Sequence, residues 1–299
     1  VFDLTNPAQP QQIGMMPTSV GGFEFTIQET VERNQYLADG KLFIPDQARG
    51  LTIVDVDQPS SPERIGQYVS PVPDVMFDIY VVDEIAYIVS RYVGLRIVDV
   101  SNPENMRELA FDHERKNLYL QQPSAIDVQN GHAYIADQNY SFHVYDVSDP
   151  NSPIQVGAVY DFAAPDGADD IVIYGDYAYV SAWGAKDAFY PGWGLWAIDI
   201  SNPKDPQAVN FIDLENGEWS LSSQNDVLYA LDGWTVKEDD APLSLRVLDL
   251  SNPSNPTEIL SMPIPDYQYL SPSDVIAQDD WLYIILGNQG LKLFDISEP

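Results

Sequence analysis

The sequence predicts an all-β fold, a six-bladed β-propeller of four-stranded antiparallel blades, and three observations lead there. First, a strand followed by Asp-x-Ser-Asn-Pro, or a near variant of it, returns seven times, with its Asp at 3, 55, 99, 146, 199, 249 and 295. The successive spacings of 52, 44, 47, 53, 50 and 46 residues are those of propeller blades. Second, the apolar runs are short, rich in Val, Ile, Tyr and Phe, and bounded by Gly, Pro, Asn or Asp. None sustains a helical period over a dozen residues. Third, most copies follow a short apolar run, a polar turn and an aromatic-centred strand, as in Val81 to Val89, Ile126 to Ala136, Ile171 to Ser181 and Val275 to Ile285. That makes four strands per repeat, and radial repetition of such sheets leaves only short, protected edges. Solenoids and sandwiches are the weaker alternatives.

The third unit shows the elements in order. Ala125 to Val128 is the first strand, Asn130-Gly131 a turn, His132 to Ala136 the second, Phe142 to Val147 the third and Ile154 to Tyr160 the fourth. Asn-Gly between two apolar runs is a strong hairpin signal. On this pattern residues 1–299 form one propeller domain, with blades at approximately 34–68, 78–112, 125–161, 170–213, 220–262 and 274–297, the last completed by 9–16. The chain finishes on a third strand, Lys292 to Ile296, whereas Gln9 to Met16 matches a fourth. The amino-terminal segment is therefore expected to close the ring by joining the carboxy-terminal blade. Val1 to Leu4 then duplicates a strand already supplied, which points to a chain cut from a longer protein. The repeated Asp is expected to accept the backbone N–H two residues on and so to turn a corner, with the following Pro needing no donor partner. The second Pro of each connection, as in Pro59 and Pro62 or Pro203 and Pro206, reads as a stiff spacer more than as a PxxP ligand.

Composition narrows the function. The chain carries 46 Asp and Glu against 14 Lys and Arg, a formal charge of -32. Phosphate backbones and anionic lipid surfaces repel such a chain, so nucleic acid and membrane surfaces are excluded as partners. The absence of Cys removes disulfides, thiolate nucleophiles and Cys-ligated metals. With 44% hydrophobic and 12% aromatic residues, the acidity belongs to a solvated surface over a packed core, not to disorder. No run approaches the roughly 18 apolar residues of a membrane span. Val1 opens directly into a strand-like segment without a basic leader, so any export signal or anchor is expected to have been removed or never to have belonged here.

The runs Leu51-Thr52-Ile53-Val54-Asp55, Leu95-Arg96-Ile97-Val98-Asp99 and Leu245-Arg246-Val247-Leu248-Asp249 resemble the LVIVD repeat, named for that strand, and copies cover nearly the whole chain. The Phe142 and Leu291 copies depart from the pattern at one or two positions. The resemblance implies a propeller found mostly in bacterial and archaeal surface or secreted proteins, hence an extracellular or cell-surface location. It supplies no common reaction and no catalytic motif to carry over.

The residues themselves point the same way. His113, His132 and His143 lack the spacing of a zinc site or a triad, and no phosphate-binding loop or nucleophile elbow occurs. In a propeller the connections into first strands and those joining second to third strands share one face, around the channel mouth. Aligning the blades on Phe43, Tyr87, Tyr134, Tyr179, Tyr229 and Tyr283 brings Asn34, Asp78, Ala125, Asp170, Ser220 and Asp274 into register, with Asp127 two places beyond Ala125. Asp78, Asp170 and Asp274 are thus candidate ligands for Ca²⁺, which takes oxygen donors without His or Cys, or else turn caps. Two connections on this face are long. One, from Ala182 to Gly194, carries Trp183, Lys186, Asp187, Phe189, Tyr190 and Trp193; the other, from Asp232 to Pro242, carries Trp234 and three acids. With Asp161, Asp166 and Asp169 they concentrate aromatics and carboxylates on blades four and five. Trp183, Tyr190, Trp193 and Trp234 are candidate ligand-binding residues, by stacking on sugar faces or anchoring a protein, or else they pack the loops down. Arg49 and Arg91, scarce cations on the same face, either orient an anionic group or pair with nearby acids. The expected function is a non-enzymatic binding module for a glycan or surface protein. The alternative is a calcium-assisted hydrolase or lyase using the channel-mouth carboxylates, and a purely architectural role is the third reading.

Overall fold

The computed structural model describes residues 2–3, 11–12, 35–46, 50–58, 60–71, 74–91, 93–111, 122–138, 141–160, 167–183, 192–214, 217–234, 244–264, 274–285 and 291–297, with backbone placement alone for 2–3, 11–12, 46, 183, 217–219 and 232–234. Strands β1 (Phe2–Asp3) and β2 (Gln11–Gln12) pair with each other. Blade 1 is β3 (Tyr36–Ala38), β4 (Lys41–Asp46), β5 (Gly50–Asp55) and β6 (Glu63–Tyr68). Blade 2 is β7 (Met76–Val82), β8 (Ile85–Ser90), β9 (Gly94–Asp99) and β10 (Arg107–Phe111). Blade 3 is β11 (Pro123–Gln129), β12 (His132–Asp137), β13 (Ser141–Asp146) and β14 (Ile154–Tyr160). Blade 4 is β15 (Gly167–Tyr174), β16 (Tyr177–Trp183), β17 (Gly194–Asp199) and β18 (Gln207–Asp213). Blade 5 is β19 (Gly217–Gln224), β20 (Val227–Trp234), β21 (Ser244–Asp249) and β22 (Thr257–Pro263). Blade 6 has three strands, β23 (Asp274–Gln278), β24 (Trp281–Ile285) and β25 (Leu291–Asp295). Every sheet is antiparallel in chain order, and no α-helix occurs among the described residues. The architecture is the expected propeller of six blades.

In blades 2 to 5 the second and third strands are buried on both faces, which is why they read as near-continuous apolar runs. In blade 3, for example, Phe142 and Val144 face blade 4 while Ala133, Ile135 and Tyr145 face blade 2. Among the described residues five apolar cores result, each shared by two successive blades. A Leu, Ile or Val buried this completely stabilises the fold by about 1.5–3 kcal/mol, so the blades are joined chiefly by these cores. The first-to-second-strand turns use the expected chemistry. Asn130 (φ 50°) and Gly131 (φ 72°) both adopt the left-handed conformation that a two-residue hairpin with native twist requires.

The corners behave as expected too. The Asp55, Asp99, Asp146, Asp199, Asp249 and Asp295 carboxylates accept the N–H two residues on at 2.7–3.1 Å. Hydrogen bonds from the Ser hydroxyls hold the Asp99, Asp146 and Asp295 carboxyls below their ordinary pKa. A feature that the pattern of residues does not announce is a bulge at one place in every fourth strand, where Ile65, Leu109, Val156, Val209 and Ile259 are each the extra residue.

The expected clasp is not among the described pairings. Gln11 pairs with Asp3, just as Glu63 pairs with Asp55 and Arg107 with Asp99. Among the described residues, β1 and β2 thus pair as the outer two strands of a blade do, and the sheet of β23, β24 and β25 has three strands. The remainder of 9–16 lies outside the described residues. No helix is long and apolar enough to cross a membrane among the described residues.

Candidate functional site

The first strands stand next to one another in the order β3, β7, β11, β15, β19, β23 and line the centre of the ring. Register confirms the alignment of their leading residues: Asp78 lies opposite Val89, Ala125 opposite Ala136, Ser220 opposite Leu231 and Asp274 opposite Ile285. Asn34 lies outside the described residues.

These polar side chains reach across the blade junctions. Asp78, only 5% exposed, accepts the N–H of Ile79 at 2.5 Å and, through its other oxygen, the N–H of Ile126 in blade 3 at 2.7 Å. Asp170 repeats the arrangement with Ile171 at 2.8 Å and with Leu221 of blade 5 at 2.7 Å. Blade 3 has Ala125 at that position, and Asp127, two residues on, substitutes by accepting the Ile173 N–H of blade 4 at 3.0 Å. Blade 5 uses hydroxyls: the Val275 and Ala277 N–H groups donate to Ser220 and Ser222, and Ser220 donates to Asp274 at 2.8 Å. From blade 2 to blade 6, each junction is thus tied at its inner end by an acceptor on the earlier blade and a backbone donor on the later one. Buried N–H groups need such partners, and ionised acceptors make the stronger bonds.

The junction of blades 1 and 2 is tied differently. The fully buried Arg96 guanidinium donates to Glu108, to the Tyr68 hydroxyl at 2.9 Å and to Asp74 at 3.1 Å. It also lies 5.9 and 5.7 Å from the centroids of the Tyr68 and Phe111 rings. Two carboxylates around one cation keep the charge paired inside the fold.

Among the described residues no group of three or more His, Asp or Glu is placed to hold a metal ion. Asp78, Asp170 and Asp274 lie on three different blades, each engaged by hydrogen bonds of its own. Burial pushes the Asp127 carboxyl up to about 6, against the lowering effect of its backbone hydrogen bonds. The Tyr80 phenol is also raised, by burial first and by Asp127 second.

The aromatic sector takes clearer shape. Trp183 ends β16 and Trp193 directly precedes β17. Ala182 pairs with Gly194, and one further step of that register sets Trp183 opposite Trp193 at the mouth end of blade 4. Trp234 ends β20 opposite Gly217, at the mouth end of blade 5, beside which β16 packs through β19. A fourth tryptophan escaped the sequence reading. Trp219 is the extra residue of a bulge in β19, between the Glu218–Asp232 and Ser220–Leu231 pairs, at the same rim. Its signal is its place directly before Ser220, at the head of a first strand, a position that loop length does not mark. Tyr190 lies outside the described residues, as do Asp161 and Asp166, whereas Asp169 is buried in β15.

Arg91 is not part of this sector. Arg91 is exposed on blade 2, with its guanidinium 5.5 Å from the centroid of the Phe77 ring, and it makes no ion pair among the described residues. Blade 3 separates it from the tryptophans. Arg49 lies outside the described residues.

Comparison with known proteins agrees with the architecture. Among solved structures, the yeast Saccharomyces cerevisiae Sqt1 superposes with a TM-score of 0.59 at 10% identity, covering 87% of this chain and 68% of its own. The computationally designed Ika8 protein gives 0.58 at 8% identity, covering 88% and 70%. A chain of the Nidogen/Laminin complex gives 0.55 at 11% identity, covering 86% and 89%. Likeness at such identities shows the fold alone. No curated protein matches. The LVIVD repeat, however, matches residues 39–70, 77–110, 123–161, 166–212, 240–263 and 271–299, more than half of the sequence. The chain belongs to the LVIVD repeat family.

Proposed function

We propose that this protein is a non-enzymatic binding module, extracellular or attached to a cell surface, whose ligand is a glycan or a surface protein held at the rim of blades 4 and 5. The observation that carries the proposal is positional. Of the six tryptophans in the chain, four stand at the mouth ends of strands in two adjacent blades: Trp183, Trp193, Trp219 and Trp234. Indole rings are rigid, offer large apolar faces and carry one donor, which suits them to stacking on sugars and to anchoring protein partners. A propeller supports this use, because rigid blades hold variable loops on one face. The formal charge of -32 favours a neutral or cationic ligand over an anionic polysaccharide.

The enzymatic alternative, a calcium-assisted hydrolase or lyase at Asp78, Asp170 and Asp274, ranks second, since these carboxylates engage neighbouring backbone and hydroxyl groups in ways that already account for them. Screening of the wild type against a glycan array and envelope fractions, followed by Trp183→Ala, Trp193→Ala and Trp234→Ala, tests the binding reading. Loss of the captured ligand with unchanged circular dichroism is the expected result. Capture that survives all three substitutions, or no capture by the wild type, would overturn it.

A further inference from the structure

Each apolar core joins the same two kinds of surface. The leading face of a blade, such as Leu51 and Ile53 of blade 1, meets the trailing face of the next, such as Ala86 and Ile88 of blade 2. Blades 2 and 3 repeat the contact with Leu95 and Ile97 against Ala133 and Ile135. Among the described residues such cores run without a break from blade 1 to blade 6, and none joins blade 6 to blade 1. Two faces are left over, the trailing face of blade 1 and the leading face of blade 6. Their exposure bears this out. Leu37 of blade 1 is 64% exposed, whereas Val81 and Val128, at the same register in blades 2 and 3, are 5% and 8% exposed. Leu42 and Ile44 beside it are half-buried, where blade 2 has Ala86 and Ile88 fully buried. On blade 6, Ile285 is 37% exposed, and its counterparts Val89 and Leu231 are fully buried. Tyr283, Leu291 and Leu293 are half-buried on that face, although the equivalent residues of blades 1 to 5 are all buried.

Contiguous apolar surface that the rest of the molecule leaves uncovered marks an interaction site. The chain's own β1 and β2 pair with each other, and Leu37 stays exposed. The five internal junctions show what such a face accepts. Each sets aliphatic and aromatic side chains of a leading face against aliphatic side chains of a trailing face from the same repeat. Blade 1 keeps the trailing chemistry with Leu37, Leu42 and Ile44, and blade 6 keeps the leading chemistry with Tyr283, Leu291 and Leu293. The blade 6 face of one copy and the blade 1 face of another are therefore complementary. Because the contact uses a different patch on each partner, it is heterologous and leaves one face free at either end of a pair.

We propose that the leading face of blade 6 docks on the trailing face of blade 1 of a second copy of this chain, continuing the row of blades from one molecule into the next. The surface is separate from the aromatic rim and stands or falls independently of it. The test is sedimentation velocity over roughly 1 to 100 μM on the whole chain, on Leu37→Glu, on Ile285→Glu and on an equimolar mixture of the two variants. Each substitution places a charge where docking would bury it, on a side chain exposed in the single chain, so unfolding midpoints in urea should match that of the wild type. Leu37→Ser and Ile285→Ser take their place should either Glu variant unfold. The wild type is expected to associate reversibly, and each variant alone to associate more weakly by roughly tenfold or more. The mixture should recover a 1:1 dimer that grows no further, since only the blade 6 face of Leu37→Glu and the blade 1 face of Ile285→Glu remain intact. A wild type that stays monomeric would overturn the proposal and give the two faces to a closing contact within the chain or to a different partner. Undiminished association of either variant alone would also overturn it, as would a mixture that grows beyond dimers or does not associate.

Discussion

Two sets of aspartates recur around this molecule and act over different ranges. The corner set, typified by Asp146 and Asp249, accepts N–H groups two residues away within its own turn. The inner set, Asp78, Asp127 and Asp170, accepts N–H groups 48, 46 and 51 residues away, across a blade junction. The first set shapes each blade, and the second orders blades with respect to one another. Carboxylates of identical chemistry therefore differ in what their removal costs, because a turn at the surface has water as a substitute acceptor and a buried junction has none.

That contrast is open to direct tests. Asp78→Asn places an amide donor against the N–H of Ile79 or of Ile126 inside the fold, and is expected to cost about 3 kcal/mol in urea unfolding. Asp170→Asn, in the less buried copy, should cost less. Measuring it with and without Ca²⁺ after chelation separates the two readings of that residue. A loss that is the same in both conditions belongs to the junction, whereas a calcium-dependent midpoint in the wild type that vanishes in the variant would restore the metal reading.

The middle effect is one of pH. Asp127 titrates near 6 in the folded chain, against an ordinary value of 3.8, so the folded state holds the proton over a window in which the unfolded state has released it. Its contribution is complete below about pH 4 and is lost as pH rises through about 6. The wild type should therefore lose stability relative to Asp127→Asn on going from about pH 4 to about pH 7, by something of the order of 2 kcal/mol. Parallel pH profiles for the two proteins would show that the Asp127 carboxyl is not buried in the folded chain as described. The smallest effect is expected at a corner. Asp249→Ala should cost under about 1 kcal/mol, and a loss as large as that of Asp78→Asn would erase the distinction between the two sets.

How much of this was legible beforehand divides along the same line. The corner bonds could be read from Asp-x-Ser, since the acceptor and donor are two residues apart and the geometry is local. Asn130-Gly131 was equally plain, because few residue pairs tolerate two left-handed conformations. The register of Asp78, Ser220 and Asp274 could be read by counting from the central aromatics, yet their partners could not. Nothing in the sequence around Asp78 names Ile126 as its donor. Arg96 looked like one polar residue in an apolar strand, and only the packing of blade 1 against blade 2 surrounds it with Tyr68, Asp74 and Glu108. Trp219 was overlooked for the same reason, since its kinship with Trp183 and Trp234 is one of rim position and not of loop length.

By itself, then, the sequence determined the β class, the blade length, the corners and the hairpin turns, all of which depend on interactions between residues close in the chain. The tertiary structure decided which blade a carboxylate ties, which tryptophans share a rim and which side chains surround Arg96. Those are contacts between distant segments. A repeat that spells every blade almost alike leaves them to the few positions where the blades differ, and their consequences appear only when one blade is laid against the next.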